Sequence, residues 1–247
     1  LLNDIKEGQV LIATHGKAIG KVNGLTVMDI GDTAFGTPAR ITATVYAGAS
    51  GVVDIEREVE LGQPIHSKGV MLLTGYLGNK YAQAFPLTVS ANIALEQSYG
   101  HIDGDSASLG ELVALISAIT DIPARQSLAI TGSINQYGEV QAVGGVNEKI
   151  EGFFDVCQHR GLNGEQGVII PKSNVRHLVL DKAVVDAVKK DQFAIYSVET
   201  VDDALELLME KEAGGLSSRG RYPKNTVNDL AVKRLYQIAC TVNGAEE

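Results

Sequence analysis

The sequence predicts a mixed α+β fold, an antiparallel strand-rich N-terminal part followed by alternating strands and helices. Two patterns carry this. From about residue 10 to 62, short alternating or β-branched runs such as Ile41 to Tyr46 and Gly51 to Ile55 lie between glycine-rich turns. After about residue 103, stretches with apolar residues at three- and four-residue spacing alternate with short apolar runs. A hydrophobic content of 45% over 247 residues is ample for a packed core.

In order along the chain, Val70, Leu73 and Leu77 have helical spacing between His66 and about Tyr81, with three glycines weakening the run. Pro86 to Leu95 alternates with period two and predicts a half-buried strand. Leu109, Leu112, Val113, Ile116 and Ile119 predict a helix over Ser108 to Thr120, stopped before Pro123. Ser127 to Ile134 and Glu139 to Val143 read as a hairpin around the turn Asn135 to Gly138. Helices follow over Val146 to Arg160, Asp181 to Lys190 and Thr200 to Glu212, with strands at Gly167 to Pro171 and Phe193 to Val198. Residues 1–212 are expected to form one domain. Residues 213–247 are expected to be a linker and tail, polar from Ala213 to Asn225, with a terminal helix over Val227 to Val242.

A net charge of −9 argues against nucleic acid or an anionic membrane as the main partner. No apolar run reaches the roughly 18 residues of a membrane span, and Leu1-Leu2-Asn3-Asp4 does not read as a signal peptide. Cys157 and Cys240 are too few and too isolated for a disulfide framework, so a cytoplasmic location is expected. The start on Leu1 without an initiator Met suggests a piece of a longer polypeptide.

The candidate chemistry lies in Asp103-Gly104-Asp105-Ser106-Ala107-Ser108 and in Lys149. A serine hydroxyl needs a neighbouring base to become a nucleophile, and a lysine serves only when its pKa is lowered from about 10.4. Ser106 lies just ahead of a predicted helix, where unpaired N–H groups and the helix dipole favour an oxyanion. Ser108 and Glu111 have the S-x-x-E form of a capping box. Lys149 lies in the first turn of its helix on the stripe of Val146, Ile150, Phe153 and Cys157, where burial and the dipole both disfavour the ammonium. Each residue also has a plainer reading, the serine as part of a capped turn and the lysine as a side chain reaching out to water. His101 is an alternative base, with Asp103 near enough in sequence to orient it. His66 is expected to be structural or at a subunit surface, and His15, His159 and His177 lack metal-ligand spacing, so no metal site is expected. Gly16 to Lys21 departs from the phosphate-loop pattern and is expected to be a β-turn.

Asp103 to Ser108, Thr131-Gly132-Ser133-Ile134 and Gly138 to Lys149 together resemble the proteolytic domain of Lon, the ATP-dependent protease, in its bacterial LonB-like branch. The resemblance spans about residues 20 to 210 and includes the separation of Ser106 from Lys149. It implies a Lon-type fold in which Ser106 is the nucleophile and Lys149 the general base, with supporting roles for Asp103 and for Thr131, whose hydroxyl would bond the lysine. Asp105 stands where many Lon sequences have Pro, and Ser108 where many have Gly. The added carboxylate would raise the lysine's pKa. The resemblance further implies a hexameric ring that degrades unfolded or misfolded protein chains, with ATP and Mg bound by a fused AAA+ module outside this chain. The expectation from another class is a catalytically silent protein-binding or assembly module of the same fold.

Overall fold

The computed structural model describes residues 2–98 and 101–244. Helix α1 (Leu2–Lys6) and the two-residue β1 (Lys17–Ala18) precede two long strands, β2 (Lys21–Ile30) and β3 (Thr33–Tyr46). These pair antiparallel from Lys21↔Thr42 to Ile30↔Thr33, closing on a two-residue turn in which Gly31 has φ +63°. That positive φ is what a tight hairpin turn demands. Within Gly16 to Lys21, expected from sequence to be a β-turn, Lys17 and Ala18 form β1 and Lys21 opens β2, so only Ile19 and Gly20 make the turn between the two strands.

β4 (Gly51–Asp54) runs into the single turn α2 (Ile55–Glu58), followed by α3 (Pro64–Tyr81) and β5 (Ser90–Leu95). α3 begins at Pro64, two residues before the expected His66, because proline's fixed φ suits a first helical position. Next come α4 (Ser108–Thr120), β6 (Ala124–Arg125), β7 (Leu128–Ile130), β8 (Ser133–Ile134) and β9 (Val140–Gln141). The chain then continues through α5 (Val146–Arg160), β10 (Gly167–Pro171), α6 (Lys182–Lys189), β11 (Ala194–Val198), α7 (Val201–Met209) and α8 (Val227–Gly244).

One seven-stranded sheet, ordered β11-β10-β7-β2-β3-β5-β4, joins the N-terminal strands to the later α/β part. The fold is therefore mixed α+β, with β3 antiparallel to both its neighbours β2 and β5, and β2, β7, β10 and β11 parallel. Alternating residues send side chains to opposite faces. Leu128, Ile130 and Ile169 enter one core with α3, α4, α7 and α8, whereas Ala129, Val168 and Ile170 enter a second core with α1, α5 and α6. α4 and α5 consequently pack on opposite sides of the sheet.

The strand expected over Ser127 to Ile134 breaks at Thr131 and Gly132. Gly132 N–H donates to the Ser106 carbonyl, and Leu109 N–H donates to the Gly132 carbonyl, so the backbone leaves the sheet to meet the start of α4. The C-terminal segment is not a free tail along its whole length. Ala213 is buried, and Val227, Ala231, Leu235 and Ile238 of α8 enter the same core as α4. The apolar positions Leu235 and Ile238 account for this docking, since a helix buries its apolar stripe wherever a facing surface accepts it. No helix among the described residues is long and apolar enough to cross a membrane.

Candidate active site

Three segments converge beyond the C-terminal end of β7: the turn before α4, the break at Thr131, and the first turn of α5. The turn before α4 depends on Gly104, whose φ of +90° places it where a side chain would be strained. Asp103 Oδ1 accepts the Gly104 N–H at 2.8 Å. Asp103 thus shapes the approach to Ser106 from an exposed position, and no ion pair joins it to Lys149 among the described residues. His101 lies on the same segment with Nδ1 3.4 Å from Gln63 Nε2, and no hydrogen bond to Ser106 is found among the described residues.

α5 starts from Gly145, held at φ +64°, and the Lys149 N–H donates to the Gly145 carbonyl in its first turn. Two glycines let this helix lie directly on β3. A β-carbon on Gly36 would fall 1.9 Å from the Glu148 carbonyl oxygen, and one on Gly152 would fall 2.0 Å from the Gly36 oxygen. This backbone contact fixes the depth at which Lys149 enters the interior, where it is only 3% exposed.

The lysine Nζ lies 3.1 Å from Ser106 Oγ and 3.2 Å from Thr131 Oγ1. Thr131 is fully buried, and its hydroxyl also donates to the Ser106 carbonyl at 3.3 Å. Burial lowers the Lys149 pKa from 10.5 to about 8, against the opposing pull of the Asp105 and Glu148 carboxylates. Desolvation therefore outweighs attraction, which leaves an appreciable neutral fraction near neutral pH. The Asp105 carboxylate acts in the direction its sequence position implied. Cys157, buried on the same helix, has its thiol pushed up to about 12 and is no competing nucleophile.

The capping box does not form. Ala107 is the N-cap of α4, no side chain caps the helix, and Ser108 Oγ is buried without a hydrogen-bond partner. Glu111 instead turns into the interior beside His66, 3.7 Å from its Nε2. Because the helix begins at Ser108, that residue lies inside the first turn and not at the N-cap, and both side chains pack against α3, Ser108 beside Gly69 and Glu111 beside His66. His66 is buried at 1% exposure and not at a surface.

A cleft of about 740 Å³ opens over the Ser106 hydroxyl and the lysine. Its walls are Leu25 to Met28 of β2, Thr37 to Ala39 of β3, the segment from His101 to Ala107, and the loop from Ala142 to Gly145. β2 pairs with β7 only at Asn23 and Gly24, so beyond that point the β2 edge facing the cleft has no strand neighbour among the described residues. The arrangement offers a hydroxyl, a buried amine to take its proton, and an open strand edge beside both.

A family profile described as the Lon protease (S16) C-terminal proteolytic domain matches residues 13–211. A protein of Escherichia coli strain K12 named "Putative Lon protease homolog" is 49% identical over 209 residues, covering 84% of this chain and 36% of that protein. A protein of the same name from Haemophilus influenzae is 48% identical over 85% of this chain and 35% of its own length. An archaeal Lon protease of Pyrococcus abyssi is 35% identical over 84% of this chain and 19% of its length. The chain thus spans about a third of the first two relatives. The matched region contains both central helices, the break at Thr131 and the cleft, and by that extent and identity the chain belongs to the family of Lon protease C-terminal proteolytic domains.

Proposed function

We propose that this chain is the peptidase part of a Lon-type, ATP-dependent serine endopeptidase in which Ser106 is the nucleophile and Lys149 the general base. The observation that carries the reading is the 3.1 Å approach of a buried, low-pKa amine to a hydroxyl at the floor of a cleft. Neutral Lys149 takes the Ser106 proton as Oγ bonds to the scissile carbonyl carbon. The carbonyl π pair moves to oxygen, and backbone N–H groups of the turn before α4 are the donors available to that oxyanion. As the intermediate collapses, the carbon–nitrogen bond breaks and the lysine ammonium returns the proton to the leaving amine. Water deprotonated by Lys149 then bonds to the acyl carbon, the carbon–Oγ bond breaks, and the lysine ammonium returns its proton to Ser106 Oγ.

An extended substrate would pair with the open edge of β2 at Leu25 to Met28, an arrangement that gives affinity through main-chain hydrogen bonds. Only an unfolded segment can lie extended in this way, which supports unfolded or misfolded proteins as substrates. Thr131 orients the amine, and Asp103 holds the turn that presents Ser106. Delivery by a fused AAA+ module using ATP and Mg, assembly into a hexameric ring and a cytoplasmic setting belong to the proposal for the longer protein.

One observation favours a second reading, a catalytically silent protein-binding or assembly module of the same fold: Asp105 opposes deprotonation of Lys149. Casein cleavage by the full-length protein with ATP and Mg separates the two. Turnover that disappears in Ser106→Ala supports the peptidase; equal cleavage by variant and parent removes Ser106 from the role, and absence of cleavage by the parent favours the silent module.

A further inference from the structure

A second cluster of titratable side chains lies outside the cleft lining. It comprises Asp54 at the end of β4, Glu56 in α2, His66 in α3 and Glu111 in the first turn of α4. All four are almost wholly removed from solvent, at 4%, 4%, 1% and 1% exposure. One donor atom from each of Asp54, Glu56 and His66 lies within 4.8 Å of the others. His66 Nε2 is 3.4 Å from both Asp54 oxygens and 3.7 Å from Glu111 Oε1.

Buried carboxylate oxygens normally accept hydrogen bonds or meet a cation. Here Asp54 Oδ2, Glu56 Oε2 and Glu111 Oε1 have no hydrogen-bond partner. Three acids face one imidazole, and among the described residues no lysine or arginine forms an ion pair with any of them. His66 can offset at most one negative charge. Donor atoms bound tetrahedrally to one cation at about 2.0–2.2 Å stand about 3.4 Å apart; His66 Nε2 meets this with Asp54 at 3.4 Å and Glu111 at 3.7 Å, while Glu56 lies within 4.8 Å of Asp54 and His66 and would draw in on binding.

We propose that Asp54, Glu56, His66 and Glu111 bind a divalent first-row cation, zinc or manganese, through one imidazole nitrogen and carboxylate oxygens. The spacing of histidines in the sequence gives no hint of it, because a single imidazole takes part and the acids come from three other elements. The site is structural and holds the Ser106 turn from behind. Glu56 Oε1 accepts the Leu95 N–H, and the Glu56 carbonyl accepts the N–H groups of Leu61 and Gly62. That segment pairs in turn with Ile102, whose N–H donates to the Leu61 carbonyl and whose carbonyl accepts the Gln63 N–H. Four residues after Ile102 comes Ser106. A bound cation would therefore join β4, α2, α3 and α4 around the base of this turn.

The test uses this chain stripped with a chelator, desalted, and incubated with zinc or manganese chloride. Bound metal is measured by elemental mass spectrometry and Tm by calorimetry. The expected result is near-stoichiometric retention of one of the two metals and a Tm rise of about 5–10 °C at metal well above its dissociation constant. Retention and shift are both expected to be lost in Glu111→Gln and Asp54→Asn, whose folds are checked by circular dichroism. No retained metal and an unchanged Tm in the parent chain would overturn the site, as would undiminished retention in both variants. Should the variants fail to fold, metal content and Tm of the parent chain decide alone.

Discussion

Gly36 and Lys149 meet backbone to backbone: a β-carbon added to Gly36 would stand 2.6 Å from the Lys149 Cα. The position of the lysine is thus set by a strand on which it does not lie. Gly36→Ala is expected to push α5 away from β3, because neither backbone has a flexible side chain to yield. Overpacking of this kind costs about 1–3 kcal/mol, and a displacement near 1 Å at the amine is expected to reduce peptidase activity on the order of 100-fold. Thermal unfolding and casein turnover of the variant check the two parts together. Activity close to the parent's would show that the contact does not position Lys149.

Lys149 is held at a cost to stability. Its folded pKa of about 8 lies below the unfolded value of 10.5, so the folded state holds the ammonium less well. Below pH 8 both states are protonated and the folded protein bears the whole penalty. Between about 8 and 10.5 the unfolded chain binds more protons, and stability rises with pH; above that window the penalty is gone. Lys149→Met is therefore expected to be more stable than the parent at pH 7 by up to about 3 kcal/mol, with the difference shrinking as pH rises through that window. Urea unfolding at pH 7 and pH 10 measures it, and a methionine variant less stable at both would refute the penalty.

Thr131 accepts a hydrogen bond from the lysine and donates one to the Ser106 carbonyl. In Thr131→Val both are lost with little change in shape. We expect kcat to fall about tenfold or more, the equivalent of one hydrogen bond to a charged group. The ammonium also loses an acceptor that stabilises it, so the pH midpoint of activity is expected to move down. A fall in kcat with an unmoved midpoint would mean that Thr131 acts on the serine turn alone.

Much of the scaffold was legible because its helices carry their own signal. The apolar spacing of Leu109 to Ile119 and of Val146 to Cys157 places α4 and α5 at the residues observed. The stripe that buries Lys149 was legible for the same reason. Its partnership with Ser106 was not, since the two residues come from opposite faces of one sheet and only a family resemblance joined them. Glu111 illustrates the opposite failure. A local capping pattern competed with a buried neighbour from α3, and the neighbour prevailed because tertiary packing outweighs a single cap. The break at Thr131 and Gly132 falls between the apolar residues Leu128 to Ile130 and Ile134, and a threonine and a glycine inside such a stretch do not by themselves reveal that the backbone turns away from its sheet. Nothing in the sequence around Gly36 indicates that α5 will lie upon it.

Activation of Ser106 by Lys149 is tested most directly by the pH dependence of labelling with a fluorophosphonate probe. The predicted result is a single adduct on Ser106, located by peptide mapping. Its rate of formation should rise through a midpoint of about 8, as Lys149 loses its proton, and be lost in Lys149→Met. An adduct on Ser106 that forms equally fast in Lys149→Met, or a rate that does not change between pH 6 and pH 10, would contradict it.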